Sequence, residues 1–216
     1  MTTSTSTYQV AQIEEIDETY DGRCPMRPVR HHFGITSFGI NAFTARETGD
    51  RIINEHDETD DDAEELYLVQ RGRATFELDG ERVDAPTGTF VSVPAGVKRT
   101  AFAEEPGTTL VAVGGTPGKA YEPGGWEVWG PLNKHYQDGD YEAVIAEGRE
   151  LIESSPYPLP LYNLACCEAL AGRKADAIEH LREAIGRREQ LREYAKGDSD
   201  LDSIREEPAF KELVGS

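Results

Sequence analysis

Leu66-Tyr67-Leu68-Val69-Gln70-Arg71-Gly72-Arg73-Ala74-Thr75-Phe76-Glu77-Leu78-Asp79-Gly80 decides how the first half of the chain folds. Leu66 to Val69 is a short apolar run that Arg71-Gly72 ends, as a strand and turn do. In the next run Ala74, Phe76 and Leu78 alternate with Thr75, Glu77 and Asp79, so one face of a strand goes to a core. Asp79-Gly80 is the strongest hairpin signal in the chain, because both central residues of a type I′ turn need positive φ.

Outward from that hairpin the same texture continues. Glu81 to Asp84 returns, Pro86-Thr87-Gly88 turns, Thr89 to Val93 extends, and Pro94-Ala95-Gly96 turns again. Thr100 to Ala103, Thr109 to Val113 and an earlier region from Phe33 to Phe43 complete a set of short strands. This spacing predicts an all-β sandwich or barrel. A glycine- and proline-rich connector, 114–125, then precedes a different periodicity. Tyr141, Val144, Ile145, Gly148, Leu151 and Ile152 share a helical face, as do Ala177, Ile178, Leu181, Ala184 and Ile185. Each helix starts just after a turn glycine, Gly139 and Gly172, and that separation of 33 positions predicts a helix-pair repeat. The expected organisation is a β domain over 1–125, with an N-terminal extension, and a helical segment over 126–216.

Acidic residues number 41 against 22 basic ones, a net charge of −19, which repels phosphate backbones. Nucleic acid is therefore not an expected partner. The arginines at 182, 187 and 188 do not form a basic patch, since Glu179, Glu183 and Glu189 interleave them. The acidic surplus suits either salt adaptation or plain solubility. No run approaches the roughly 20 apolar residues of a membrane span, and the first seven residues lack a secretory pattern. Cys24, Cys166 and Cys167 show no CxxC spacing and make no disulfide framework, so buried thiols in a reducing cytoplasm are expected.

Two spacings carry a family resemblance. Glu65, six residues and Gly72 form the first; Gly88, five residues, Pro94, one residue and Gly96 form the second. Over roughly 30–115 the chain resembles the cupin superfamily, which implies a double-stranded β-helix barrel with a metal or small molecule inside. The cupin histidine expected after Gly96 is Arg99 here. A typical His-x-His is reduced to Asn54-Glu55-His56-Asp57-Glu58, followed by an acidic insertion before Glu65. His56 pairs either with Asn54 or with Glu58, and each choice keeps both side chains on one strand face. The candidate metal ligands are His56, Glu58 and Glu65, for a divalent metal ion; the candidate ligand-binding residues are Arg99, Asn54 and Tyr67. Arginine cannot lose its proton to become a metal ligand, so Arg99 is suited to pair with Glu65 or to grip a carboxylate or phosphate. A purely structural Arg–Glu pair is the plain alternative. His31 and His32 are weaker candidates, and no organic cofactor is expected. The eight carboxylates from Glu55 to Glu65 read as a solvated loop at the barrel mouth.

The second half resembles tetratricopeptide repeats. Gly139-Asp140-Tyr141 with Leu151 to Pro156 fits one unit; Leu161-Tyr162-Asn163-Leu164-Ala165, Ala169 to Lys174, Ala177, Leu181 and Ala184 fit a fuller one. Leu191, Tyr194, Leu201, Ile204, Phe210 and Leu213 are expected to cap the array, and Trp126 and Trp129 to pack at its junction with the β domain. The resemblances imply a small-molecule or metal-ion binding protein whose helical segment contacts a protein partner; a purely structural role, with homodimerisation through barrel edges, is a further reading. A metal-dependent isomerase, lyase or oxygenase of cupin type is the alternative.

Overall fold

The structure, a computed structural model, describes residues 8–20, 24–154 and 157–215. The N-terminal threonine- and serine-rich segment and Pro156 lie outside the described residues. The chain divides into two compact units, Met1–Glu122 and Pro123–Ser216.

The first unit holds nine described strands: β1 (Met26–Arg27), β2 (Gly39–Thr44), β3 (Arg51–His56), β4 (Glu64–Arg71), β5 (Arg73–Leu78), β6 (Glu81–Pro86), β7 (Phe90–Val93), β8 (Arg99–Ala103) and β9 (Thr109–Gly115). They form two antiparallel sheets, one ordered β1-β2-β9-β4-β7 and the other β3-β8-β5-β6. Alternation supplies the core between them. Tyr67, Val69, Val91, Val93 and Leu110 from the first sheet bury against Ile53, Ala74, Phe76, Ala85, Ala101 and Ala103 from the second. The β5–β6 turn takes positive φ at both Asp79 (50°) and Gly80 (86°), as the sequence requires.

One strand boundary differs from expectation. Strand β2 begins only at Gly39, and Val29–Phe33 forms a short helix, α1. Gly34 at φ 66° ends it, with its N–H on the Arg30 and His31 carbonyls, so a left-handed cap outranks the propensity of the aromatic residue before it.

The second unit contains α2 (Gly125–Trp129), α3 (Asn133–Gln137), α4 (Tyr141–Ser154), α5 (Pro158–Leu170), α6 (Lys174–Arg187), α7 (Leu191–Gly197) and α8 (Pro208–Val214). Gly139 and Gly172 turn with nearly the same φ, 74° and 77°, before α4 and α6. Helix α5 is apolar almost all round and therefore central, packed between α4 and α6. Its buried Glu168 is paired, 2.8 Å from Arg149 on α4 and 2.7 Å from His180 on α6. Trp129 buries with Leu132, Val144, Ile145, Leu164 and Cys167, whereas Trp126 is exposed. Leu191, Leu201, Ile204 and Phe210 close the other side of the helical core, and Tyr194 stays outside. Among the described residues no helix is long and apolar enough to cross a membrane.

Candidate functional site

The site is assembled by departures from regular pairing. Strand β3 slips by one residue against β8 between Arg51 and Ile53, and again between Ile53 and His56. In an unbroken strand, residues 53 and 56 would face opposite sides. The second slip puts His56 opposite Arg99 while Ile53 stays opposite Ala101, so all four belong to the inward face. The strand stops at His56. The chain then turns, with Glu58 at φ 57°, a left-handed value that side-chain-bearing residues seldom adopt, and the turn returns the Glu58 carboxylate to His56. Across the interior, Glu65 and Tyr67 share the inward face of β4.

The imidazole of His56 is held on both edges. Its Nδ1 lies 2.7 Å from the Asn54 carbonyl, an acceptor only, so Nδ1 carries a hydrogen and donates it. That leaves Nε2 to the carboxylates, 3.1 Å from Glu65 Oε2 and 3.3 Å from Glu58 Oε1. Glu65 Oε2 also accepts the Tyr67 hydroxyl, and Arg99 Nε stands 3.5 Å away. Burial falls from the inside out: the Arg99 side chain is fully buried, Glu65 is 18% exposed, Glu58 25% and His56 32%.

This environment sets the protonation states. Burial disfavours charge on His56, but hydrogen bonds to Glu58 and Glu65 outweigh it and raise the imidazole to about 10. Glu65 is held below the usual carboxylate range: burial opposes this, while bonds from His56 and Tyr67 and the nearby Arg99 charge prevail. Burial, then the Glu65 charge, push the Tyr67 phenol far above its ordinary value, so it remains a donor. A proton between Nε2 and two carboxylates occupies the place a cation would take.

The donor set suits such a cation. One imidazole nitrogen and two carboxylate oxygens lie within 4.8 Å of one another, a combination that borderline and hard divalent ions accept. The Nδ1 bond to a carbonyl is the outer contact that orients a ligating histidine. Arg99 contributes no ligand. Its Nη2 donates to the Pro94 carbonyl at 3.1 Å, while Nε and Nη1 are buried without a hydrogen-bond partner. The Nε–Glu65 separation is within ion-pair range, yet the N–H is not aligned as a hydrogen bond.

Of the residues singled out in the sequence, His56, Glu58, Glu65, Tyr67 and Arg99 come together. Asn54 joins through its main-chain carbonyl. His31 and His32 lie exposed on α1. The acidic insertion forms the β3–β4 connection, mostly exposed, with the Asp61 carbonyl accepting from Thr116. Asn41, not among the candidates from the sequence, lies on the inward face of β2 in the same register row as Ala112 and Tyr67, with Oδ1 buried and unpartnered. A polar residue at an inward position of Gly39-Ile40-Asn41-Ala42-Phe43 was the available signal. The Tyr121 ring rests on Gly39 of the same strand, its hydroxyl 2.6 Å from where a Cβ would stand.

A second group of metal-ligating atoms, Cys166, Asp198 and Asp200, lies in the helical unit. There the oxygens are already answered. Asp198 accepts from Tyr162, Cys166 and the Asp200 N–H, and Asp200 accepts from Tyr136. Burial, with the aspartate charges, holds the Cys166 thiol well above its ordinary range, against the thiolate a metal needs. This group is a hydrogen-bonded joint between α3, α5 and the segment after α7.

No known protein family matches the chain by sequence, and no curated protein matches it. Solved structures similar to it include a cupin protein from Bacteroides fragilis, with 14% identity and a TM-score of 0.42 over 55% of this chain and 92% of that one. Another is a sugar phosphate isomerase of the cupin superfamily from Silicibacter pomeroyi, with 17% identity and a TM-score of 0.43 over 50% and 75%. A third is an RmlC-like cupin protein from Desulfovibrio desulfuricans, with 22% identity and a TM-score of 0.37 over 52% and 95%. At these values the functions of those proteins do not transfer, and the chemistry of the site follows from its own atoms.

Proposed function

We propose that the β unit is a cupin-type small-molecule-binding domain built on a divalent-cation centre, with His56, Glu58 and Glu65 as the protein ligands. The supporting observation is the His56 imidazole, fixed through Nδ1 on the Asn54 carbonyl so that Nε2 faces two carboxylate oxygens. When bound, such a cation supplies a Lewis acid that polarises an oxygen of the captured molecule. Tyr67 keeps Glu65 oriented by donating to the same oxygen that faces His56, and Arg99 holds a positive charge behind it.

Titration of chelator-treated protein with Mn²⁺ tests the reading. One ion per chain is expected, lost in His56→Ala and retained when Asp60, Asp61 and Asp62 are changed to Asn. Binding that survives His56→Ala, or that disappears with the loop changes, places the ion elsewhere and overturns the reading.

The same proposal gives the helical unit, read as tetratricopeptide-like, a protein-contacting role, supported by the matched turns before α4 and α6 and by exposed Tyr194. It gives the β unit self-pairing through the outward face of its five-stranded sheet, where Leu66 and Phe90 are exposed. Sedimentation of Phe90→Glu against the unchanged protein tests the pairing: a monomer is expected for the variant alone, and identical behaviour removes it.

A further inference from the structure

Arg99 is among the largest fully buried side chains of the described residues, and its N–H donors are poorly answered. Only Nη2 has a hydrogen bond, to the Pro94 carbonyl. Nη1 has none, and Nε points past Glu65 without bonding it. Leaving guanidinium donors unmet in a protein interior is costly, and native structures rarely keep them unless something else arrives to accept them. Glu65 does not fill the need, because the oxygen nearest Arg99 already serves Tyr67 and His56.

The charge count identifies the missing group. A divalent cation on neutral His56, Glu58 and Glu65 cancels the two carboxylates and leaves the Arg99 charge over, faced at longer range by the solvent-exposed Asp57 carboxylate, in an interior where an incompletely compensated charge is strongly disfavoured. One negative charge restores neutrality. A monoanion with planar oxygens matches both the count and the guanidinium geometry, whereas a phosphate dianion overshoots.

Building on the cation centre proposed above, we infer that the small molecule is a carboxylate, gripped by Arg99 through its unpartnered nitrogens beside the His56–Glu58–Glu65 centre. Cation and carboxylate then bind cooperatively, each neutralising what the other leaves, and the coupling is reciprocal. Arg99, standing where the cupin pattern has a histidine, exchanges a metal ligand for an anion clamp.

The test uses the full chain, Mn²⁺ and acetate, with ionic strength matched by chloride. Calorimetry measures Mn²⁺ affinity first, then acetate affinity for the metal-free and Mn²⁺-loaded protein. Acetate is expected to bind the loaded form at least about tenfold more tightly, a coupling of roughly 1.4 kcal/mol. Arg99→Met is expected to lower acetate affinity at least tenfold and to raise Mn²⁺ affinity, since a neighbouring positive charge is gone. If circular dichroism shows that Arg99→Met does not fold, Arg99→Lys decides: it keeps the charge, loses the fork and should weaken acetate by several-fold. Acetate binding equally to unchanged and substituted protein overturns the inference, as does its failure to bind the unchanged protein in either state. If Mn²⁺ does not bind but acetate does so in an Arg99-dependent way, the cation reading falls and the carboxylate clamp stands.

Discussion

Replacing Arg99 with methionine should leave the ligand-free protein about as stable as before, although the side chain is completely buried. Two of the three guanidinium nitrogens lack hydrogen bonds, and each unmet buried donor costs about 1–3 kcal/mol. Against this stands the Nη2 bond to the Pro94 carbonyl, about 1.5–3 kcal/mol for a charged donor. The Pro94 carbonyl also accepts the Val97 N–H at 3.5 Å, so it keeps a donor when the guanidinium is removed. The attraction to Glu65 at 3.5 Å is lost, but Glu65 keeps His56 and Tyr67 as partners. Methionine fills most of the volume without a charge to desolvate, and exchanging buried ions for apolar groups is often neutral or stabilising. The net change should lie within about 2 kcal/mol of zero. Urea unfolding in chelator, followed by far-ultraviolet circular dichroism, measures it; both tryptophans lie in the helical unit, so their fluorescence does not follow the β unit directly. A loss greater than about 3 kcal/mol, the range for breaking a buried pair, would show Arg99 to be a structural anchor whose charge is already satisfied.

The opposite substitution behaves differently. Glu65→Gln removes the carboxylate that accepts from His56 and Tyr67 and the only one within ion-pair distance of Arg99 among the described residues, and should cost about 2–4 kcal/mol by the same urea assay; adding Arg99→Met should recover only the part due to the Arg99 charge, since the His56 and Tyr67 bonds stay weakened. In the helical unit, the bond from His180 to buried Glu168 outweighs burial and raises the histidine, with Arg149 opposing and Glu179 assisting. This stabilisation is complete below the unfolded histidine value of about 6.5 and fades as pH rises through the higher folded value. His180→Gln should therefore cost about 1 kcal/mol near pH 6 and progressively less above it, and a penalty independent of pH would refute the pairing. Gly72 sits at φ 76°, and a Cβ there would lie 2.6 Å from Thr108 Oγ1 and 2.8 Å from its Cα, whereas Gly80 at φ 86° faces open space. Gly72→Ala should thus cost at least about 2 kcal/mol and Gly80→Ala about 1 kcal/mol, and equal penalties would contradict the close approach.

Much of the β unit is legible because its signals are local. Asp79-Gly80 specifies its turn by φ alone, and the alternation through Ala74, Phe76 and Leu78 selects the buried face without reference to the rest of the chain. The start of β2 is not legible in this way, since the left-handed cap at Gly34 depends on hydrogen bonds to α1 that composition does not announce. The site is intermediate. Residue types at 56, 58, 65 and 99 suggest chemistry, but strict alternation allows either Asn54 or Glu58 beside His56. Two register slips in β3 and the left-handed turn at Glu58 decide how those side chains are presented, and a slip is a property of the pair β3–β8, invisible in β3 alone. Asn41 is not legible for a similar reason, because its place beside Tyr67 is set only by the joint register of β2, β9 and β4.

Anomalous diffraction from crystals soaked in Mn²⁺ bears most directly on the cation centre. The account predicts one strong peak within bonding distance of His56 Nε2 and of oxygens from Glu58 and Glu65, with Arg99 outside the coordination shell. No peak there, or a peak only in the acidic turn after His56 or at Cys166, Asp198 and Asp200, would contradict it.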